Sequence, residues 1–166
     1  MPRPPLVVVA GVCGSGKSTV GAQLATELGL EFLDSDDLHP ASNVRKMATG
    51  TPLTDDDRWP WLAAVGAAMD GASRTGLVVA CSALKRSYRA ALLVAAPATR
   101  FVLLDGSREL LAERLGPRND HFMPATLLES QLAILEPLAL DEPGFTVNID
   151  RAPSEIVELI AGTLGH

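Results

Sequence analysis

Lysine is nearly missing from this chain. Only Lys17, Lys46 and Lys85 occur among 166 residues, against eleven arginines, and the net charge is −6. So acidic a chain is not expected to take nucleic acid as its main partner. Long apolar runs are also lacking; none approaches a membrane span, so no membrane partner is expected. Cysteine is limited to Cys13 and Cys81. With nothing else marking an oxidising compartment, reduced thiols in a cytoplasm are the expectation. Met1-Pro2-Arg3-Pro4-Pro5 leads directly into the first apolar strand segment, so a cleaved signal peptide is not expected. Repeats, linkers and low-complexity stretches are absent, and the length predicts one domain, residues 1–166. Self-association, as in a homodimer, is left open by the sequence. Each lysine falls in a segment marked on other grounds, and an acidic protein with a local cationic pocket points to an anionic small ligand.

What is present begins with Gly11-Val12-Cys13-Gly14-Ser15-Gly16-Lys17-Ser18, a P-loop pattern. Glycines permit a tight loop whose backbone N–H groups face a phosphate, at the start of a helix whose dipole favours negative charge. Lys17 can reach the β- and γ-phosphates, and the Ser18 hydroxyl is a hard ligand suited to Mg²⁺. Upstream, Leu6 to Ala10 reads as a buried parallel strand; downstream, Val20, Leu24, Ala25 and Leu28 recur at helical spacing before Gly29. Strand, loop and helix are the context the motif requires.

Further along, Glu31-Phe32-Leu33-Asp34 reads as a second strand running into Asp34-Ser35-Asp36-Asp37. Open α/β sheets place ligands at the carboxyl ends of their strands. Asp34 and Asp36 are two residues apart, so an extended backbone would point them the same way. One could face Mg²⁺ through water and the other accept a proton from a substrate hydroxyl; an acidic turn or helix cap is the competing explanation. His39 to Met47 is helical in character, with Pro40 near the first turn. Thr54 or Asp55 is expected to cap the next helix, and the dipole accounts for Asp55 and Asp56. It does not account for His39, Arg45, Lys46 and Arg58 gathered between the second strand and that helix. Lys46 fits a helix surface as well as a site.

Leu77 to Cys81 is the third strand, ending in Ser82-Ala83-Leu84-Lys85. Lys85, Arg86 and Arg89 then open a helix against its dipole, a local conflict that often marks function. Arg100 to Leu104 and Phe145 to Ile149 are the fourth and fifth strands. Between them Leu110, Leu111 and Leu115 stripe one helix and Leu127, Leu128, Gln131, Leu132 and Leu135 another, with Ile156, Val157, Leu159 and Ile160 closing the chain. The loop from Gly116 to Pro124 carries Arg118 between breakers, as a lid over phosphates would, approximately residues 116–124. Five strands alternating with helices predict a three-layer α/β domain with a parallel sheet and helices on both faces. Strand order is not readable from the pattern.

The stretches GVCGSGKS, FLDSDDLHP, NVRKMATGTPLTDDDRWPWL, VVACSALKRSYR and GPRNDHFMP with SQLAILEP after it span Leu6 to about Pro137. Together they resemble the gluconate kinases, small P-loop kinases related to shikimate and nucleoside monophosphate kinases. The P-loop alone indicates the superfamily; DxDxxHP, KMxxGxPLxDxDRxPWL and CSALKxxYR are far more specific. Ser35, Asp37 and Cys13 depart from common residues without touching an assigned role. The resemblance implies a P-loop kinase fold with strand order 2-3-1-4-5, ATP with Mg²⁺, and phosphoryl transfer to the terminal hydroxyl of D-gluconate, giving 6-phospho-D-gluconate. It implies a nucleotide site at Gly11, Val12, Cys13, Gly14, Ser15, Gly16, Lys17, Ser18 and Thr19, with Arg114 near the base. Lys17, Asp36 and Arg118 are the implied catalytic residues, Ser18 the metal ligand and Asp34 its outer-shell partner through water. Acceptor contacts fall to Asp36, His39, Arg45, Arg58, Lys85, Arg89 and His121. Arg58 is the first choice for the sugar-acid carboxylate, because a planar guanidinium binds carboxylates bidentately.

Three competing readings have sequence tests. A kinase of shikimate or of a nucleotide would share the P-loop and lid but not the acceptor segment. A GTP-dependent switch would need an N-K-x-D sequence, and none occurs. A P-loop scaffold without turnover would be expected to lack one of Lys17, Ser18 and Asp36, and all three are present.

Overall fold

A computed structural model describes residues 3–115 and 126–165. The chain runs β1 (Leu6–Ala10), α1 (Lys17–Leu28), β2 (Phe32–Asp34), a 3₁₀ turn (Ser35–Leu38), α2 (Ala41–Ala48), α3 (Asp55–Gly71), β3 (Leu77–Ala80), α4 (Arg86–Ala95), β4 (Thr99–Asp105), α5 (Arg108–Leu115), α6 (Thr126–Ile134), β5 (Gly144–Asn148) and α7 (Pro153–Leu164). The five strands form one parallel sheet in the order β2-β3-β1-β4-β5. β1 is central, with Val8 opposite Val79 on one side and Phe101 on the other. Its apolar run is explained by that place: Val7, Val8 and Val9 are buried completely, as a strand covered on both faces requires.

From β1 the chain steps outward to β2, then reverses through β3 and passes over to β4 and β5. Right-handed crossovers in opposite directions put helices on opposite faces. α1 accordingly packs with α7, and α3 with α4. The reversal leaves a crevice at the carboxyl ends of β1 and β3, where open α/β sheets bind ligands. The two strand ends are tied there by the Gly11 amide donating to the Ser82 carbonyl at 3.2 Å. Among the described residues no helix is long and apolar enough to cross a membrane.

Two local readings are corrected, and one open alternative is decided. The backbone after β2 does not stay extended, because Asp34 accepts the Asp36 amide at 3.0 Å and caps the 3₁₀ turn. Thr54, not Asp55, caps α3, exchanging hydrogen bonds with Asp57. α3 then continues through Pro60, which lies near its exposed amino-terminal end, where the missing N–H costs one early bond. Finally, the cations opening α4 are compensated by distant carboxylates. Glu136 accepts the Arg86 amide at 2.9 Å, the Arg86 guanidinium pairs with Asp141, and Arg89 pairs with Glu142 at 3.0 Å. That conflict is resolved by the chain between α6 and β5 and needs no ligand.

Candidate active site

The P-loop wraps the crevice between β1 and α1. Gly11 has φ 147°, and a Cβ there would lie 2.7 Å from Ser15 Oγ and 3.0 Å from the Leu104 carbonyl oxygen. Gly16, at φ 90°, turns the chain into α1 in the left-handed region, where other residues are strained. Inside the loop the Val12 carbonyl accepts the Ser15 amide, the Ser15 hydroxyl at 2.7 Å and Lys17 Nζ at 3.0 Å. Among the described residues, no backbone carbonyl takes the amides of Gly14, Gly16, Lys17, Ser18 or Thr19. They are a nest for phosphate oxygens at a helix amino terminus. The loop lines a cavity of about 620 Å³ from Cys13 to Val20, joined by Asp36, Arg114, Leu115, Pro153 and Ile156. Arg114 donates to the Ile149 carbonyl at 2.6 Å, which sets it against the start of α7, the region expected for the base.

The donor set beside the loop fits a hard divalent ion. Ser18 Oγ, at the head of α1, donates to Asp34 Oδ2 at 2.7 Å. A hydroxyl and a carboxylate are the oxygen ligands Mg²⁺ prefers. Among the described residues no three His, Cys, Asp or Glu side chains gather to hold a metal by themselves. Such an ion would therefore take its remaining ligands from phosphates and water.

Charge is concentrated behind this loop. Burial pushes the Lys17 ammonium down, opposed chiefly by the Asp36 carboxylate, with a net downward shift. Burial pushes the Asp36 carboxyl up, opposed by Lys17, with a net rise above 3.8. Cys13 and Cys81 are free, buried thiols; burial drives Cys81 up to about 12, so it is uncharged.

The acceptor side is assembled from separated segments. A second cavity, of about 460 Å³, is lined by Pro52, Leu53, Arg58, Lys85 and Ser130 among others. A narrow slit adjoining it shares Pro52, Leu53, Arg58 and Ser130 and reaches His39, Trp61, Ser82 and Gln131. Arg58 is 8% exposed and donates to the Leu53 carbonyl at 2.7 Å and the Tyr88 hydroxyl at 3.2 Å. No carboxylate pairs with it among the described residues. Lys85, by contrast, is paired with Asp55 at 3.2 Å, which also accepts from Tyr88. Asp55 thus does more than favour a helix dipole. Lys46 pairs with Asp57 at 2.7 Å, tying α2 to α3. The His39 ring is stacked on Trp61 at 4.2 Å, and its Nε2 lies 4.0 Å from Asp36 Oδ1. That contact joins the two sides: Asp36 lines the nucleotide cavity and His39 the acceptor slit.

The expected residues divide accordingly. Cys13 through Thr19, Asp34, Asp36 and Arg114 converge on the phosphate side, and Arg58, Lys85 and His39 on the acceptor side. Arg89 lines neither cavity. It is fully buried, its guanidinium forked onto Glu142, and it also holds the Ala83 carbonyl at 2.9 Å. Ala83 has φ 41°, so Arg89 secures a strained turn at the end of β3. Arg45 is exposed on α2 and lines neither cavity. Arg118, His121 and the lid, residues 116–124, lie outside the described residues.

Sequence reasoning missed Gln131, Asn43 and Trp61. Gln131 Oε1 accepts the Cys13 amide at 2.8 Å, tying α6 to the P-loop. Its signal is a polar residue on the apolar stripe of α6. Trp61 donates to the Ser35 carbonyl at 2.7 Å, fixing the turn that carries Asp36. Nothing in the local sequence marks Asn43.

A family profile described as an AAA domain matches residues 6–138. The chain is 48% identical to a gluconokinase of Gluconobacter oxydans over 158 residues, 94% of this chain and 89% of that relative. It is 44% identical to a probable gluconokinase of Xenopus tropicalis, over 95% of this chain and 92% of the relative. A solved gluconokinase structure from Sinorhizobium meliloti 1021 is 48% identical, with a TM-score of 0.90, covering 99% of this chain and 94% of that one.

Proposed function

The chain belongs to the gluconokinase family and is an ATP-dependent kinase of D-gluconate, and we propose how its residues divide that reaction. Phosphoryl transfer asks for positioning and charge neutralisation more than for covalent help. The five amides of the P-loop nest hold the phosphates, and Lys17 exchanges the Val12 carbonyl for β- and γ-oxygens. Ser18 and, in its outer shell, Asp34 would hold Mg²⁺, which would neutralise charge on the transferring group. Arg58 takes the gluconate carboxylate, since it is the acceptor-wall cation without a carboxylate partner among the described residues, whereas Lys85 and Arg89 have theirs. Asp36 receives the acceptor proton while the new oxygen–phosphorus bond forms and the bond to the departing ADP oxygen breaks. A cytoplasmic setting belongs to the same proposal.

The observation that carries this reading is the position of Asp36, on the nucleotide cavity yet 4.0 Å from a residue of the acceptor slit. Burial raises its basicity, as suits a group that accepts a proton. Asp36→Asn keeps the shape and loses the charge, and kcat is expected to fall by about 10² or more. ATP affinity and its Mg²⁺ dependence should hardly move. Rescue of Asp36→Asn by excess Mg²⁺, with Asp34→Asn not rescued, would mean that the two roles are reversed.

A further inference from the structure

We propose that Asn43, buried in α2, is a positioning residue that locks His39 as a neutral ring with its proton on Nε2, facing Asp36. The inference rests on the reading of Asp36 as the proton acceptor. Asn43 is 2% exposed, and its side-chain nitrogen makes two contacts, 2.8 Å to the Asp57 carbonyl and 3.2 Å to His39 Nδ1. A backbone carbonyl only accepts, so the atom against Asp57 is the amide NH₂ and not its oxygen. Its second hydrogen then points at His39 Nδ1, which must present a lone pair. A neutral ring that accepts at Nδ1 carries its proton at Nε2.

The surroundings hold the ring in that state. The side chain is 2% exposed and stacked on Trp61 with the planes 13° apart, so neither rotation nor hydration is easy. Burial lowers its pKa, and Arg58 from α3 lowers it further, to about 4. Among the described residues Asp36, from the 3₁₀ turn, is the one carboxylate near the ring's other nitrogen, and Lys17 faces Asp36 from the P-loop. Asp57 offers Asn43 only its backbone, because its carboxylate is taken by Lys46 and the Thr54 amide. Asp36 therefore has beside it a hydrogen-bond donor without a positive charge. An imidazolium at 4.0 Å would pair with the carboxylate and weaken it as a base. A ring with the opposite tautomer would turn a lone pair toward it.

Nitrogen-15 NMR of the wild-type protein tests the tautomer directly. The chain has three histidines, and His39→Gln identifies the relevant signals by their loss. The expected result is a neutral ring protonated at Nε2 from about pH 8 down to about pH 5. Titration near the ordinary 6.5, or a proton on Nδ1, overturns the proposal. In a second arm, Asn43→Asp sets a carboxylate against Nδ1 and demands a proton there. Its kcat near neutral pH should fall about tenfold, less than for loss of the base itself, and recover only in part as pH rises, because the ring loses its charge but keeps its proton on Nδ1, with KM for ATP unchanged. A pH profile parallel to wild type overturns the positioning role, since a purely structural loss would lower activity equally at every pH. Should Asn43→Asp fail to fold, the wild-type spectra still decide. Failure of the Asp36 reading is separate: it shows as wild-type kcat in Asp36→Asn, whatever the tautomer of His39.

Discussion

The nucleotide side and the acceptor side of this site are built in opposite ways. The first is mostly backbone from one contiguous stretch, residues 11 to 19, in which the amides of Gly14, Gly16, Lys17, Ser18 and Thr19 have no backbone partner among the described residues, the last three because a helix begins there. The second is side chains from α2, α3, α6 and the chain after β3, brought together by the sheet order. On the first side a residue type nearly dictates its role. On the second, the same residue type has different roles according to its neighbours: Arg58 stands without a carboxylate partner among the described residues, and Arg89 is buried against Glu142. Arginine lines cavities and supports walls equally well, and only its partners tell which.

The largest effect should come from the backbone side. Lys17→Ala is expected to abolish nearly all turnover with the melting temperature almost unchanged, because the loop's shape depends on its glycines and on bonds to Val12. Near-normal kcat would break the contrast between the two sides.

Next is stability. Arg89→Ala leaves Glu142 buried without its partner and frees the Ala83 turn, an expected loss of about 3–5 kcal/mol. In a chain of this size that lowers the melting temperature by about 10 °C. Unchanged stability with a raised KM for gluconate would return Arg89 to the acceptor wall.

Arg58→Lys should raise KM for gluconate about tenfold, since a lysine lacks the fork for a carboxylate. The loss should be smaller with an uncharged polyol acceptor. Equal losses on charged and uncharged acceptors would mean that Arg58 is structural, like Arg89.

The smallest effect is in pH. His39 has a folded pKa of about 4 against an ordinary 6.5, so between those values the unfolded chain binds the extra proton. Stability should decline as pH falls from about 6.5 toward about 4, and His39→Gln should flatten thermal-melting data in that window. An unchanged slope in the variant would remove His39 as its source.

Much of the phosphate side is legible in the sequence. GVCGSGKS lies between an apolar strand and a helix, and local geometry does the rest. Asp34 and Asp36 both stand out there as well, yet the expected alternation is wrong. Asp34 caps the turn that carries Asp36, so acidic cap and candidate site are the same residues. The three cations at the start of α4 are legible as an anomaly but not as a solution, because their partners are remote: Asp55 for Lys85 lies 30 residues away, Asp141 for Arg86 lies 55 and Glu142 for Arg89 lies 53.

The sequence by itself determined the strands, the helices and the phosphate loop, because these depend on residues within a few positions of one another. Tertiary structure alone decided which polar groups meet across the crevice: Gln131 with Cys13, Asn43 with His39, Trp61 with Ser35. A buried polar group must find a partner wherever the fold supplies one, and the partner's distance along the chain has no bearing on the bond.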